Sequence, residues 1–478
     1  MNERLPAPQV SNVLAMRYAS DEMRDIWSSQ QKIRFERALW IAVLKAQRDA
    51  GLDIPAEAIA AYEAAADKVD LGSIAERERV TRHDVKARIE EFNALAGYEL
   101  IHVGMTSRDL TENIEQFQVL RSLELVRDRI VAALARLGRL ATQHADTAIT
   151  GRSHNVPAQV TTIGKRFASS AEELLVSYQR VSELIARYPL RGIKGPVGTA
   201  QDMLDLLGTA DAVATFERAV AEHLGFKTVF ASVGQVYPRS LDFEVVSALS
   251  QVAAAPSSLA TTMRLMSGQG LFSEGFAEGQ VGSSAMPHKM NARSCERING
   301  FAAILRGHVT MVNELAGDQW NEGDVSCSVV RRVALPDSFY AIDGLFQTFL
   351  TVLDECSFFE SAVAAELEQN LPFLATTALL MAAVKTGMGR ETAHALIKKH
   401  SLAAVAHVRN GGAGNPLVAS LAADHEFPLG EAELAALFAN PLQFAGAAPA
   451  QARAVAEHVD SVCHDHPAAA AYQPQPIL

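Results

Sequence analysis

The sequence holds 478 residues, 49% of them hydrophobic, 21% charged and only 6% aromatic, a mix that excludes a disordered, collagenous or purely coiled-coil chain. At ~150 residues per domain, the length gives about three domains as a prior. A balance of 43 Lys and Arg against 55 Asp and Glu leaves a net charge of −12 with no long basic run; this argues against a nucleic-acid partner, and an anion would have to be held by a few cations gathered locally.

Alanine and leucine dominate the apolar share, so the composition leans towards helix. In chain order, Ile33, Leu39, Ile41, Leu44 and Ala46 follow a helical period that stops at Gly51. A second segment runs through Val85, Ile89, Phe92 and Leu95 to Gly97. After Thr106-Ser107 the character changes. From Leu110 to His144 there is no proline, and Ile114, Phe117, Leu123, Val126, Ile130, Leu134 and Leu137 recur at steps of three, four and six. At 1.5 Å per residue this is a helix about 50 Å long. Phe167 to Arg187, Asp242 to Met266 (with a kink expected at Pro256), Glu296 to Leu315 and Arg332 to Leu353 complete a set of five. Helices this long need a bundle of comparable length, often completed by other subunits. From Ser361 onward the helices shorten again. The expected organisation is an N-terminal helical domain (1–107), a central long-helix bundle (108–364) and a C-terminal helical domain (365–478).

Four scattered cysteines, Cys295, Cys327, Cys356 and Cys463, have no CxxC spacing, which suggests neither a disulfide framework nor a zinc knuckle. No basic, then apolar, signal segment opens the chain. The uncharged run Val245 to Met263 carries too many Ser and Thr for a lipid-facing span. A cytoplasmic protein without membrane partners is expected.

Four polar segments sit at junctions between helices. Ile101-His102-Val103-Gly104-Met105-Thr106-Ser107-Arg108-Asp109 reads as a helix cap through Ser107 or Asp109, and equally as a carboxylate-binding helix start. Gly151-Arg152-Ser153-His154-Asn155 presents a histidine suited to general acid–base work. Arg82-His83-Asp84 alone reads as a solvated charge cluster. The fourth stands apart: glycines 268, 270, 275, 279 and 282 lead into Gly282-Ser283-Ser284-Ala285-Met286-Pro287-His288-Lys289-Met290-Asn291. Such a segment can close over an anion with hydroxyls, backbone N–H groups and a lysine. Gly192-x-x-Gly195-x-x-Gly198 fits neither a Walker loop nor a dinucleotide fingerprint, and no HExxH pair supports a metal.

The run GSSAMPHKMN closely resembles the signature of the fumarase/aspartase superfamily, whose members eliminate fumarate from succinyl compounds. The other three segments fall where that superfamily places its remaining active-site regions, so the resemblance covers most of the chain. Within it the sequence looks like the adenylosuccinate lyase branch, on Arg17-Tyr18 with Glu22-Met23 and Trp27, Arg82-His83-Asp84-Val85, Gln235-Val236-Tyr237-Pro238-Arg239, and the signature continuing to Glu296-Arg297. Fumarases and aspartases typically carry a Gly where His288 stands, and argininosuccinate lyases a Gln.

The resemblance implies an all-α fold whose bundle assembles into a homotetramer with shared active sites. It also implies loss of fumarate from adenylosuccinate to give AMP, and from the succinyl-carboxamide ribotide SAICAR to give AICAR, with no cofactor and no metal. It casts Ser283 as base and His154 as acid to the leaving nitrogen. Ser284, Lys289, Asn291 and loop N–H groups would surround the carbanion, while Thr106, Ser107 and Gln235 hold the succinyl carboxylates and the polar linkage. Arg17, Tyr18, Arg297, Ser328 and Arg332 match phosphate positions. His83 and His102 would line the site with Arg82, Asp84 and Ser153 beside them. His102 would orient His154 or hold the succinyl end, and Glu296 would pair with His154. Three positions depart from the pattern. Gly323 stands where many relatives carry Arg, so that Arg331 is a candidate replacement; Met290-Asn291-Ala292 replaces Arg-Asn-Pro; and Ser153 replaces a commoner Thr. The alternatives are another fumarate-releasing lyase such as argininosuccinate lyase, a carboxymuconate cycloisomerase, or an inactive scaffold; the presence of Ser283, His154 and Lys289 weighs against the last.

Overall fold

The computed structural model describes residues 11–275, 286 and 288–476; Ser283 and Ser284 lie outside the described residues. Helices α1 (Ser29–Asp49) and α2 (Asp84–Ala96) belong to the N-terminal part, followed by α3 (Ser107–Gln143). A hairpin of β1 (Ala148–Ser153) and β2 (Val156–Thr162) leads to α4 (Ile163–Arg187). Then come α5 (Ser240–Val252), α6 (Ala254–Gly268), β3 (Phe272–Ser273), α7 (Arg293–Asn313), α8 (Cys327–Glu355) and β4 (Ser357–Phe358). Late in the chain lies α9 (Ala448–Asp465). The third member of the expected long-helix set, Asp242 to Met266, is two helices, α5 and α6, that divide at Ala253. Pro256 is then the third residue of α6, where a missing N–H removes no intrahelical bond.

The 37 residues of α3 span about 55 Å. The helix is buried on nearly every face, polar residues included. Each of those polar residues grips a neighbouring segment: Asn113 Nδ2 donates to Gly192 O (2.9 Å), Gln116 Nε2 to Pro189 O (2.9 Å) and Gln118 Nε2 to Ile26 O (2.9 Å), while Ser122 Oγ accepts from Trp27 Nε1 (3.0 Å). A buried amide left unbonded would cost about 1–3 kcal/mol, so these rungs fix both the rotation and the height of the helix.

Helices α7 and α8 run antiparallel: His308 Nδ1 lies 3.0 Å from Ser338 Oγ, and Phe301 packs beside Gly344. The pairing of β3 with β4 ties the approach to the signature segment to the C-terminal end of α8. There Arg136 Nε meets Asp354 Oδ2 at 2.8 Å, which places the C-terminal third of α3 at the same end. At the other end of the bundle the first turns of α3 meet α5 and the start of α8 through Arg331, Asp242 and Glu115. One apolar core takes in residues from Leu14 to Val363 and also Ala452, Val459 and Val462 of α9. A separate core runs from Leu379 to Leu434, so the chain leaves the bundle, builds a small helical unit and returns. Among the described residues no single helix is long and apolar enough to cross a membrane.

Candidate active site

The N-terminal end of α3 gathers the first group of expected site residues. Thr106 is the N-cap, and its backbone N–H donates to Asp109 Oδ2 at 2.7 Å. The other carboxylate oxygen of Asp109, fully buried, takes Arg191 Nη1 (2.5 Å) and the N–H groups of Lys194 (2.9 Å) and Gly195 (3.0 Å). The glycine-spaced stretch 192–198 thus closes around the cap, with the Lys194 and Gly195 N–H groups taken up by Asp109. Arg191 Nη2 also donates to Gly234 O at 3.0 Å, and Gln235 N donates to Glu322 O at 2.6 Å, which pins the Gln235 loop to the same end. Ser107 opens the helix, half-buried, beside Thr106.

His102 precedes this cap in the left-handed region (φ 69°). Its Nδ1 accepts from the indole N–H of Trp40 at 3.1 Å. Burial pushes its pKa down to about 4, with His83 pushing the same way and Asp109 opposing, so the ring is neutral near pH 7. His83 caps α2 by accepting the Lys86 N–H at 3.3 Å, and its Nδ1 lies 3.7 Å from Asp84. Arg82 turns the chain just before it (φ 52°), and both Arg82 and His83 are exposed.

A second group surrounds Tyr18. The guanidiniums of Arg17 and Arg297 lie 5.9 and 5.6 Å from its ring centroid, and Phe301 packs edge-on at 5.2 Å. Burial lowers the pKa of Arg297, which Arg17 and Arg293 lower further. Among the described residues no carboxylate forms an ion pair with Arg17, Arg293 or Arg297, and Glu274 acts on Arg297 without pairing to it, so three cations gather here in a chain of net charge −12. Lys289, exposed, stands four residues before α7, and the α7 start is anchored by Glu274, which accepts the Ser294 (2.9 Å) and Cys295 (3.0 Å) N–H groups. Asn291, half-buried, lies between them.

The third group is the β1–β2 hairpin. His154 and Asn155 form its two-residue turn, both at positive φ (51° and 61°), as a tight hairpin twist demands. The segment read from sequence as a loop is therefore a strand pair that thrusts Ser153 and His154 into solvent at its tip. Arg152 is held back by its ion pair with Glu366.

The first and third groups do not meet in one chain. The hairpin springs from the C-terminal end of α3, where Gly164 N donates to His144 O at 2.9 Å. A six-residue strand reaches about 20 Å, so the tip stays at least about 35 Å from the Thr106 end of a helix about 55 Å long. His102 therefore does not orient His154 of its own chain. Glu296 is exposed, with Arg264 Nη2 at 3.9 Å, and among the described residues no contact joins it to His154. Ser328 (half-buried) and Arg332 (exposed) share one face of α8, one turn apart, at the Gln235 end.

Arg331 cannot replace the missing phosphate contact. It is 2% exposed, with Nε on Asp242 (2.7 Å), Nη1 on Glu115 (2.5 Å) and Nη2 on Tyr237 Oη (2.5 Å). Gly323 adopts φ 133° and a Cβ there would stand 3.1 Å from Val236 Cγ2, so this backbone does not accept an arginine without strain. Sequence reasoning missed Trp40, Arg191 and Glu274, each of which acts on its site residue from a distant part of the chain; Asp109 was legible as a cap from its three-residue spacing to Thr106.

Two family models match the chain, one described as Lyase over residues 14–307 and one as Adenylosuccinate lyase C-terminus over residues 372–455. The adenylosuccinate lyase of Saccharomyces cerevisiae is 32% identical over 447 residues, covering 92% of either chain. That of Schistosoma mansoni is 32% identical, covering 87% of this chain and 88% of its own. Among solved structures, a 3-carboxy-cis,cis-muconate lactonizing enzyme from Pseudomonas putida superposes with a TM-score of 0.79 at 21% identity, covering 94% of this chain and 99% of its own. A fumarate lyase from Mesorhizobium sp. BNC1 gives 0.77 at 24%, covering 94% and 100%. These two likenesses establish the all-helical fold.

Proposed function

Since this chain belongs to the adenylosuccinate lyase family, we infer that it removes fumarate from adenylosuccinate to give AMP, and from SAICAR to give AICAR. The observation that carries the reading to a nucleotide substrate is the Arg17–Tyr18–Arg297 cluster, with Arg293 beside it and no carboxylate paired to it among the described residues. Paired guanidiniums suit a phosphate, and the aromatic ring between them holds their spacing.

The elimination must take a proton from a carbon next to a carboxylate, and the dianion that develops needs donors already in place. Lys289 and Asn291 on the signature segment, with Ser283 as base, are assigned to that end. Thr106 and Ser107 present hydroxyls at a helix N-terminus, a natural carboxylate seat. His102 and Gln235 flank them. His154, presented on the hairpin, protonates the leaving purine nitrogen.

Because one chain holds His154 at least about 35 Å from Thr106 and Ser107, the reading requires several copies, and we assign a homotetramer with shared sites. Uncovered apolar side chains on the bundle support this: Val329 (70% exposed) and Val333 (44%) one turn apart on α8, Val176 (55%) on α4 and Leu265 (48%) on α6.

The test is ultraviolet absorbance on adenylosuccinate, SAICAR and other succinyl compounds, with the assembly mass measured alongside. Turnover of neither nucleotide would sink the reading. Shared sites have their own test. Ser283→Ala and His154→Ala, each inactive alone, should regain about a quarter of wild-type activity when unfolded and refolded together, the random chance that a site draws both intact groups. No recovery on mixing would place each site within one chain.

A further inference from the structure

Trp40 lies on α1, 62 residues from His102, and is fully buried against Phe92 with stacked rings 6.1 Å apart. Its ring meets that of His102 edge-on (centroids 6.0 Å apart, 78° between planes), and the indole N–H points at His102 Nδ1 at 3.1 Å. An indole nitrogen is a donor and never an acceptor. The nitrogen it addresses must therefore carry a lone pair, and the single proton of the neutral imidazole must sit on Nε2. The two ring nitrogens diverge, so Nε2–H points away from the indole.

We propose that Trp40 is a positioning residue that locks His102 into its neutral, Nε2-protonated form, making it a fixed hydrogen-bond donor to an anionic oxygen of the substrate and not a proton carrier. A proton on Nδ1 would face the indole N–H head-on, which loses one hydrogen bond and sets two donors against each other. The groups facing His102 do not overturn this. Asp109, on α3, favours the charged ring but already accepts from Thr106, Arg191, Lys194 and Gly195. His83, at the start of α2, disfavours it. With Nε2 already protonated His102 cannot serve as a base, and without an imidazolium it cannot serve as an acid. Proton transfer is then left to other groups, and His102 contributes a donor whose strength does not vary with pH across the neutral range.

The proposal rests on the placement of His102 in the site described above, but its first test does not use activity. Neutron diffraction from deuterated crystals at about pH 6, where a free histidine is more than half charged, should show deuterium on His102 Nε2 and Trp40 Nε1 and none on His102 Nδ1. Deuterium on Nδ1 overturns the proposal whatever the enzyme turns over; failure to release fumarate would instead overturn the functional reading. The kinetic test replaces Trp40 with Phe, and separately with 3-benzothienylalanine, which keeps the indole's shape and puts sulfur in place of N–H. Both should lower kcat/KM by about tenfold at neutral pH and, because burial still opposes the charged ring, shift its ionisation upward from about 4 only part of the way towards the free-histidine value of about 6.5, with activity falling below it. An unchanged pH profile in the sulfur variant refutes the lock. His102→Gln, which retains an N–H donor, should keep more activity than His102→Glu; the reverse order would mean that the ring carries a proton.

Discussion

Replacing Arg331 by Met should destabilise the protein severely although the residue touches no substrate. Its guanidinium is the charged partner of Asp242, which is fully buried, and of Glu115, whose side chain is 22% exposed. Around them lie Glu112 and two further cations, Arg108 (3.1 Å) and Arg239 (2.9 Å). Three carboxylates thus balance three guanidiniums, and removing one leaves the interior with an uncompensated negative charge. Breaking a buried pair by deleting one partner costs about 3–5 kcal/mol. Two carboxylates lose their partner here, though the exposure of Glu115 relieves part of its cost, so about 4–5 kcal/mol is expected at neutral pH. In urea this should lower the unfolding midpoint by on the order of 1 M, since the slope grows with the surface a chain exposes. The deficit should shrink towards about pH 5 as the orphaned carboxyls, with raised pKa values, take up protons. Circular dichroism across a urea series at both pH values provides the measurement. A midpoint equal to wild type at neutral pH would refute the account of this cluster, and a deficit that grows on acidification would refute the charge reasoning. Because Tyr237, which accepts from Arg331, neighbours the Gln235 loop, KM should rise more than kcat falls.

Gly234→Ala would place a methyl 2.1 Å from Glu322 O and break the 2.6 Å bond from Gln235 N; steady-state kinetics should show KM raised by about tenfold, with the unfolding free energy lowered by no more than about 1–3 kcal/mol. Asp109→Asn removes the charge opposite buried Arg191 and turns one oxygen into a donor facing donors, at about 3–5 kcal/mol; urea unfolding checks the cost, and an Asn variant as stable as wild type would contradict it. Burial pushes Glu36 up to about 7 against the opposing pull of Arg88 (2.7 Å). A raised carboxyl contributes stability that is complete below its unfolded value of about 4.3 and is lost as pH rises through 7. Glu36→Gln should therefore flatten the decline in unfolding midpoint between about pH 4.3 and 7, while Arg88 keeps its contact with Asp84 (3.1 Å).

The long helices were legible because their apolar residues recur at helical steps over many turns, a signal that no local choice obscures. The hairpin was not, since its turn depends on two residues, His154 and Asn155, adopting positive φ without a glycine. The neighbours Arg331 and Arg332 look alike in sequence yet part company by 100° around α8. Arg331 continues the line of buried Cys327, Leu335 and Ser338, so a stricter reading of the helix face would have separated them. The link from Trp40 to His102 has no sequence signal, because it exists only once α1 packs beside the cap of α3.

The buried rungs of α3 turn that helix into a strut of fixed length and fixed rotation. In an assembly where one end serves one catalytic centre and the other end a different one, the spacing between centres is set by helical rise and not by loops. Insertion of a single residue near Val126 would turn everything beyond it by about 100° and advance it by about 1.5 Å, so Asn113 and Gln116 would stay seated while His154 swung out of line. In the proposed shared-site assembly, length change in this helix would be tolerated only in near-whole turns, and each would push neighbouring centres apart together.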